Sequence, residues 1–369
     1  MIILTMDDNQ YDIFPNNSVK SYNHIPIGTY RVCANKSGFY LEKTANLNYS
    51  NKVYGNTMAR VEKTFNAFKY KDSSLGVLMS GDKGMGKSLC AKLMCARAIE
   101  EGMPVLIIER AYGGLSSFIS SIDQEVCVFF DEFEKTFGAK DDHEETGLDP
   151  KTEMLSLFDG VSTSKNLYIL TCNRTYSLDY FLARPGRIHY HFQFNYPSPQ
   201  EIREYLIDNV KEDKINEEKI NSVISYSYVR KLNYDHLNAI CFELNTAEEI
   251  KLEDLNIQSD SVDGEYNGII TTSMGIFNYT FDRYHSVAIG EPTRSTITIR
   301  DEKGRGVCHL EISFKNATSS DGTVFNIPIE DIKIKEILDK NYKNIKILSF
   351  TVTITKEEKF SYASKCLII

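Results

Sequence analysis

The 369-residue chain has no apolar run of the length, about 20 residues, that a membrane-spanning helix requires. Its first ten residues, MIILTMDDNQ, lack the basic start and long apolar segment of a signal peptide, so a soluble protein without a cleaved leader is expected. Eight cysteines stand at 33, 90, 95, 127, 172, 241, 308 and 366, and none forms a C-x-x-C pair. That scatter argues against a zinc site and for a reducing compartment, with Cys127 and Cys172 read as small buried hydrophobes. Positive charge is also short: 42 Lys and Arg against 51 Asp and Glu give a formal net charge of −9. An overall electrostatic grip on nucleic acid is therefore disfavoured, although a local basic groove stays open. The chain has no internal repeat and no low-complexity tract. Hydrophobic residues at 42% and charged residues at 25% are ordinary globular values.

The most informative stretch is GDKGMGKS, residues 81–88, which fits G-x-x-x-x-G-K-[ST]. Gly81, Gly84 and Gly86 let successive N–H groups, including those of Asp82, Lys83 and Met85, curl around an anion. Lys87 would reach the β and γ phosphates, and the Ser88 hydroxyl would ligate Mg²⁺. Before the loop, Leu75 to Ser80 reads as a buried parallel strand. After it, a helix is expected, with Leu89, the last of the candidate nucleotide-binding residues of the loop, on one face with Leu93 and Ala96, and Gly102 as its stop. Strand, glycine loop and helix form the context the motif needs; the bland alternative is a glycine-rich turn with a chance Lys-Ser.

Hydrolysis of a nucleoside triphosphate also needs a carboxylate for hydrated Mg²⁺ and a base for the attacking water. EVCVFFDEFE supplies both. Val126 to Phe130 is an apolar strand, and Asp131 and Glu132 stand at its carboxyl end, where ligands bind in open α/β sheets. Asp131 would hold the metal shell and Glu132 would polarise water; the plainer reading is a solvated strand end. A third strand, NLYILTCNR, ends in Asn173, whose amide could hold the lytic water or sense the γ-phosphate if the two strands are neighbours. LARPGRIHYHFQF follows, with Arg184 and Arg187 around a Pro-Gly turn. His189 and His191 alternate along that segment and read as ordinary strand residues in preference to a metal or proton-transfer pair, and KDDHEE (140–145) as a solvated loop.

Four regions emerge. Residues 1–52 form a small β-rich module with a hairpin turn at Asn35 to Gly38. Residues 53–195 alternate strands and helices, the pattern of a parallel sheet covered on both faces. Residues 196–256 are mostly helical, and residues 257–369 switch to period two, with strands around the turn EKGRG (302–306) and one helix near DIKIKEILDKNY (331–342).

Taken together, the motifs resemble an AAA+ ATPase, and within that superfamily the AAA family proper. GDKGMGKS matches Walker A, VFFDE Walker B, LSLFDGV (155–161) the Asp-Gly segment, TCNR sensor 1 and LARPGR the arginine-finger region. The resemblance spans roughly residues 53–250, and the layout is loosely similar to Bcs-type translocases and compact tailed-phage AAA ATPases. It implies an α/β P-loop NTPase core with a helical lid, flanked by β-rich N- and C-terminal domains. It further implies Lys87 and Ser88 on phosphate and Mg²⁺, Asp131 on the metal, Glu132 as catalytic base and Asn173 as sensor 1. Arg187 matches the first arginine finger, which acts on ATP bound by the neighbouring subunit, so a homo-oligomer, a hexameric ring or similar, is implied. The second finger position holds Tyr190, and the lid's usual Gly-Ala-Asp is replaced by Asn233-Tyr234-Asp235. Val53, Tyr54 and Gly55 match the adenine-packing segment. Tyr112 and Gly113 resemble an aromatic-glycine pore loop, though a plain turn with one packed tyrosine explains the same letters.

The leading expectation is thus an ATP-hydrolysing, Mg²⁺-dependent ring ATPase that remodels, unfolds or translocates a protein substrate in a bacterial or phage-infected cytoplasm. A nucleic-acid motor or loader on the same core is the alternative, opposed by the acidic balance and the lack of a nucleic-acid-binding motif. A nucleotide-gated scaffold is the third, opposed by the intact Asp131-Glu132 pair.

Overall fold

The computed structural model describes residues 2–7, 10–14, 20–36, 38–47, 49, 52–138, 154, 157–158, 164–173, 187–247, 255, 257, 264–281, 289 and 294–357. The chain divides into two compact units, Met1–Asn195 and Tyr196–Ile369. Among the described residues no helix is long and apolar enough to cross a membrane.

The first unit opens with an antiparallel pair, β1 (Ile2–Asp7) and β2 (Gln10–Phe14). Its main sheet has seven strands: β3 (Thr29–Asn35), β4 (Gly38–Thr44), β5 (Leu75–Ser80), β6 (Val105–Ile108), β7 (Cys127–Phe130), β8 (Leu167–Cys172) and β9 (Tyr190–Gln193). Their spatial order is β4-β3-β6-β7-β8-β5-β9, with every pairing parallel except β3 with β4. The expected boundary at residue 52 does not hold: the β3–β4 hairpin extends the core sheet, because β3 finds the open edge of β6, Thr29 beside Val105. Asn35 pairs with Gly38 as the turn chemistry predicts.

Strands β5, β7 and β8 are buried along their whole lengths, as a sheet covered on both faces requires. Helix α1 (Thr57–Tyr70) buries Val61, Phe65 and Phe68. On α2 (Lys87–Glu100) the buried stripe is Cys90, Ala91, Met94, Cys95 and Ala98, not the face of Leu89, Leu93 and Ala96. Apart from Met94 these side chains are small, which gives a close approach to the sheet, while Leu89 and Leu93 are only half-buried. A cluster built on Ile108, Leu115, Val128, Phe130, Tyr168 and Leu170 holds the short helices α3 (Leu115–Ser120) and α4 (Phe133–Gly138). Asn166, fully buried, accepts from Val126 N–H at 3.1 Å, and its backbone carbonyl accepts from Leu75 N–H at 2.9 Å. One polar residue thereby ties together the beginnings of β7, β8 and β5.

The second unit begins with three helices, α5 (Pro199–Asn209), α6 (Glu217–Val229) and α7 (Tyr234–Thr246), around Ile202, Leu206, Ile220, Leu237 and Ile240. Ser198 and Glu201 form a capping box on α5. Asn233, the residue that departs from the family lid pattern, caps α7 by accepting from His236 N–H at 2.8 Å. Two antiparallel sheets then share one core. The first has the order β11 (Gly275–Phe281), β10 (Gly264–Thr272), β17 (Ile347–Glu357), β15 (Val324–Ile327) and β14 (Thr318–Ser319). The other is β12 (Arg294–Arg300), β13 (Gly306–Ser313) and β16 (Ile332–Ile337). The helix expected near 331–342 is instead β16 with 3₁₀ turns at both ends, since Ile332 and Ile334 alternate with lysines at period two and pair with Ile312 and Leu310. At the turn EKGRG, Arg305 pairs with Asp301 at 2.7 Å, so its charge is spent within the hairpin.

Candidate functional site

The sheet order puts the carboxyl ends of β7, β8 and β5 side by side, with Phe130 beside Leu170 and Ser80 beside Cys172. Strand β5 has both its neighbours, β8 and β9, from later in the chain, so the connections diverge at its end, the switch point where α/β sheets bind ligands. Gly81 follows β5 there. A Cβ at Gly81 would lie 2.3 Å from the Phe194 carbonyl oxygen, and its φ is +146°, so a side chain is excluded twice over. Gly86, at φ +88°, turns the chain into α2.

Lys87 is 6% exposed, and its ammonium donates to the carbonyls of Gly81 and Asp82, both at 2.7 Å. Burial pushes its pKa below the ordinary lysine value, with Asp82, Glu134 and Glu132 among the groups that oppose the shift. Met85 is buried beneath the loop, whereas Asp82, Lys83 and Ser88 face solvent. These features fit a triphosphate: left-handed glycines, a desolvated lysine and the first turn of a 14-residue helix converge on one spot. Ser88 and Asp131 are the oxygen donors that would hold Mg²⁺.

Asp131 and Glu132 follow β7. The Asn173 amide donates to Glu132 Oε1 at 3.2 Å, so the expected neighbouring of the two strand tips is met. Lys135, one turn along α4, bonds the other carboxylate oxygen. That bond, followed by the one from Asn173, holds the Glu132 carboxyl below the usual range although partial burial works the other way. Three residues that the motifs did not flag complete the cluster. Thr171 donates to Asp131 Oδ1 at 2.6 Å and accepts from Glu132 N–H at 2.8 Å. Glu134 accepts from Asn173 N–H at 2.8 Å, and Lys135 pairs with Glu132. The one signal for Thr171 in the sequence is a hydroxyl inside the apolar strand LYILTC.

Arg187 stands elsewhere. Its carbonyl oxygen lies 2.4 Å from where a Cβ on Gly76 would be, near the start of β5. At the ~3.3 Å rise of a parallel strand, Gly76 is about 16 Å from Gly81, so Arg187 is remote from the loop of its own chain. Tyr190, at the second finger position, stacks on Phe192 with ring centroids 4.7–5.4 Å from its neighbours His189 and Phe192, and Lys63 lies over it. His191 shares a 2.7 Å hydrogen bond with Ser80, a strand-to-strand tie as expected for an ordinary strand residue. Val53, Tyr54 and Gly55 precede α1, whose Arg60 donates to the Gln193 carbonyl at 2.7 Å, so they enter at the loop's end of the sheet. Tyr112 is half-buried with its ring edge-on to Phe39 at 6.1 Å, which favours the packed turn over a free pore residue; Gly113 is exposed. Arg184, Arg174, Asp159, Gly160 and residues 140–145 lie outside the described residues.

Comparison with known proteins agrees with this geometry. The model of the ATPase family associated with various cellular activities (AAA) matches residues 77–196. The chain carries an AAA ATPase domain. Among its relatives, the 26S proteasome regulatory subunit 7 of Dictyostelium discoideum is 30% identical over 141 residues, 34% of this chain and 33% of that protein. The AAA ATPase forming ring-shaped complexes of Corynebacterium diphtheriae is 27% identical over 191 residues, 44% of this chain and 36% of that protein. The probable 26S proteasome regulatory subunit 6B of Caenorhabditis elegans is 23% identical over 228 residues, 58% and 47% respectively. The chain thus spans about a third to a half of the length of these curated relatives. Its matched segment runs from β5 through β9 and includes Walker A, Walker B, Asn173 and Arg187.

Proposed function

We propose that this chain is a Mg²⁺-dependent ATPase that works as a homo-oligomeric ring, a hexamer or similar, and uses hydrolysis to remodel, unfold or translocate a protein substrate. The observation that carries the ATPase reading is the convergence of Lys87, Asp131, Glu132 and Asn173 at the ends of three adjacent strands. Bound Mg²⁺ would neutralise phosphate charge as it develops. Lys87 supplies a desolvated cation at the loop, and Ser88 and Asp131 supply the metal's oxygens. Glu132, held ionised, accepts the proton of the attacking water, while Asn173 fixes the carboxylate oxygen that does so.

The remote position of Arg187 supports its acting on ATP held by a neighbouring subunit, and the ring-forming and proteasomal relatives support both the ring and a protein substrate. The lid helices and the β-sandwich belong to one compact unit, so we read the sandwich as the part that moves with the lid and contacts substrate. Phosphate release from ATP tests the first claim. The wild-type chain should hydrolyse ATP with Mg²⁺ and not with EDTA, and Glu132→Gln should abolish turnover while retaining bound nucleotide. Wild-type turnover that persists in EDTA, or in Glu132→Gln, would overturn the assignment.

A further inference from the structure

Glu132 is the one non-glycine residue with positive φ among the described residues, at +48°. An L-residue with a Cβ disfavours that conformation, so something must hold it. Thr171 is placed to do so. It lies near the end of β8, is 1% exposed, and its hydroxyl makes two bonds in opposite senses. The O–H donates to Asp131 Oδ1 at 2.6 Å, and the oxygen accepts the Glu132 N–H at 2.8 Å. A single hydroxyl thus bridges the metal-orienting carboxylate and the backbone of the catalytic base. The same strand continues to Asn173, which contacts the Glu132 side chain.

We infer that Thr171 is a positioning residue for ATP hydrolysis, pinning the Asp131–Glu132 turn in its strained form so that one carboxylate faces the metal and the other faces the water. This inference rests on the ATPase reading above. It also separates two roles. A hydroxyl that merely satisfies a buried strand would affect stability alone, whereas a pin sets the direction of two carboxylates and so governs Mg²⁺ dependence and kcat. The bond to Asp131 is charge-assisted, which fixes the carboxylate more firmly than a neutral partner could.

Thr171→Val keeps the shape and the β-branch and deletes the hydroxyl; Thr171→Ser keeps the hydroxyl. For groups that orient metal ligands, losses of about 10- to 100-fold are typical, and that is the fall in kcat and the rise in Mg²⁺ needed for half-maximal turnover expected of Thr171→Val. KM for ATP at saturating Mg²⁺ should stay within about twofold, and Thr171→Ser should restore kcat to within about threefold of wild type. A readout independent of turnover is hydrogen exchange of the nucleotide-free chain: the peptide containing Glu132 should exchange faster in Thr171→Val and normally in Thr171→Ser. If Thr171→Val does not fold, Thr171→Cys, with a weak donor in nearly the same volume, takes its place with the same expected direction. A wild-type chain without ATPase activity would sink the ATPase reading. An active wild type with Thr171→Val at the same kcat and Mg²⁺ dependence, or with Thr171→Ser as impaired as Thr171→Val, would overturn this inference alone.

Discussion

Gly81→Ala is the smallest change that should disable the phosphate loop. The new Cβ would stand 2.3 Å from the Phe194 carbonyl oxygen, where ordinary contact begins at 3.4 Å. Backbone faces backbone there, so neither side can swing a flexible group away, and the loop must shift by about 1 Å. A misplacement of that size costs roughly 100-fold in rate, or about 2.7 kcal/mol of transition-state stabilisation. Steady-state phosphate release should therefore show kcat/KM down by about two orders of magnitude, and Tm should fall as well, because the added Cβ strains the backbone between the loop and Phe194. Gly102→Ala is the control. Gly102 also has a positive φ, +86°, but no heavy atom lies within 4 Å of the added Cβ, and it sits at the far end of α2. Its ATPase activity should be unaltered. Activity of Gly81→Ala within about twofold of wild type would refute the reasoning, since the close approach of β9's continuation would then not constrain the loop.

Two further outcomes follow from the same geometry. Asn166→Ala leaves the buried Val126 N–H without its acceptor, which costs about 2 kcal/mol and should lower the Tm of the first unit by about 4–8 °C in calorimetry. A shift below about 1 °C would mean that Asn166 does not tie the strands. Lys135→Met removes the largest influence holding the Glu132 carboxyl below its usual range. Because the base acts only when ionised, the acid limb of the kcat profile should move to higher pH in Lys135→Met; an unmoved limb would show that Glu132 does not titrate in that step.

The candidate phosphate loop and the acidic pair that follows β7 stand out in the sequence because each is a local pattern: a glycine spacing, or an apolar run ending in acids. The neighbouring of Asn173 with Glu132 was only conditional, since strand order is a tertiary fact, and β8 between β7 and β5 is what supplies it. The enlistment of β3 and β4 into the core sheet was hidden for the same reason: nothing in TYRVCAN says which edge it will meet. Thr171 was invisible as a functional residue because one hydroxyl in a strand is ordinary until its two partners are known. On α2 hydrophobic size is a poor guide, because four of the five residues that face the sheet, Cys90, Ala91, Cys95 and Ala98, are small, and at IKIKEI the alternation of Ile332 and Ile334 with lysines forms a strand where a helix was expected. The placement of Tyr190 under Lys63 and against Phe192 accounts for that departure from the family pattern as packing.

The central claim is that ATP is cleaved between subunits, with Glu132 from one chain and Arg187 from the next. Glu132→Gln and Arg187→Ala chains should each be inactive alone. Mixed in equal amounts and allowed to exchange, they create sites in which an intact Glu132 meets an intact Arg187, and about a quarter of wild-type turnover should return in a head-to-tail ring. A mixture that remains as inactive as its two components, although the chains demonstrably co-assemble, would contradict the shared site.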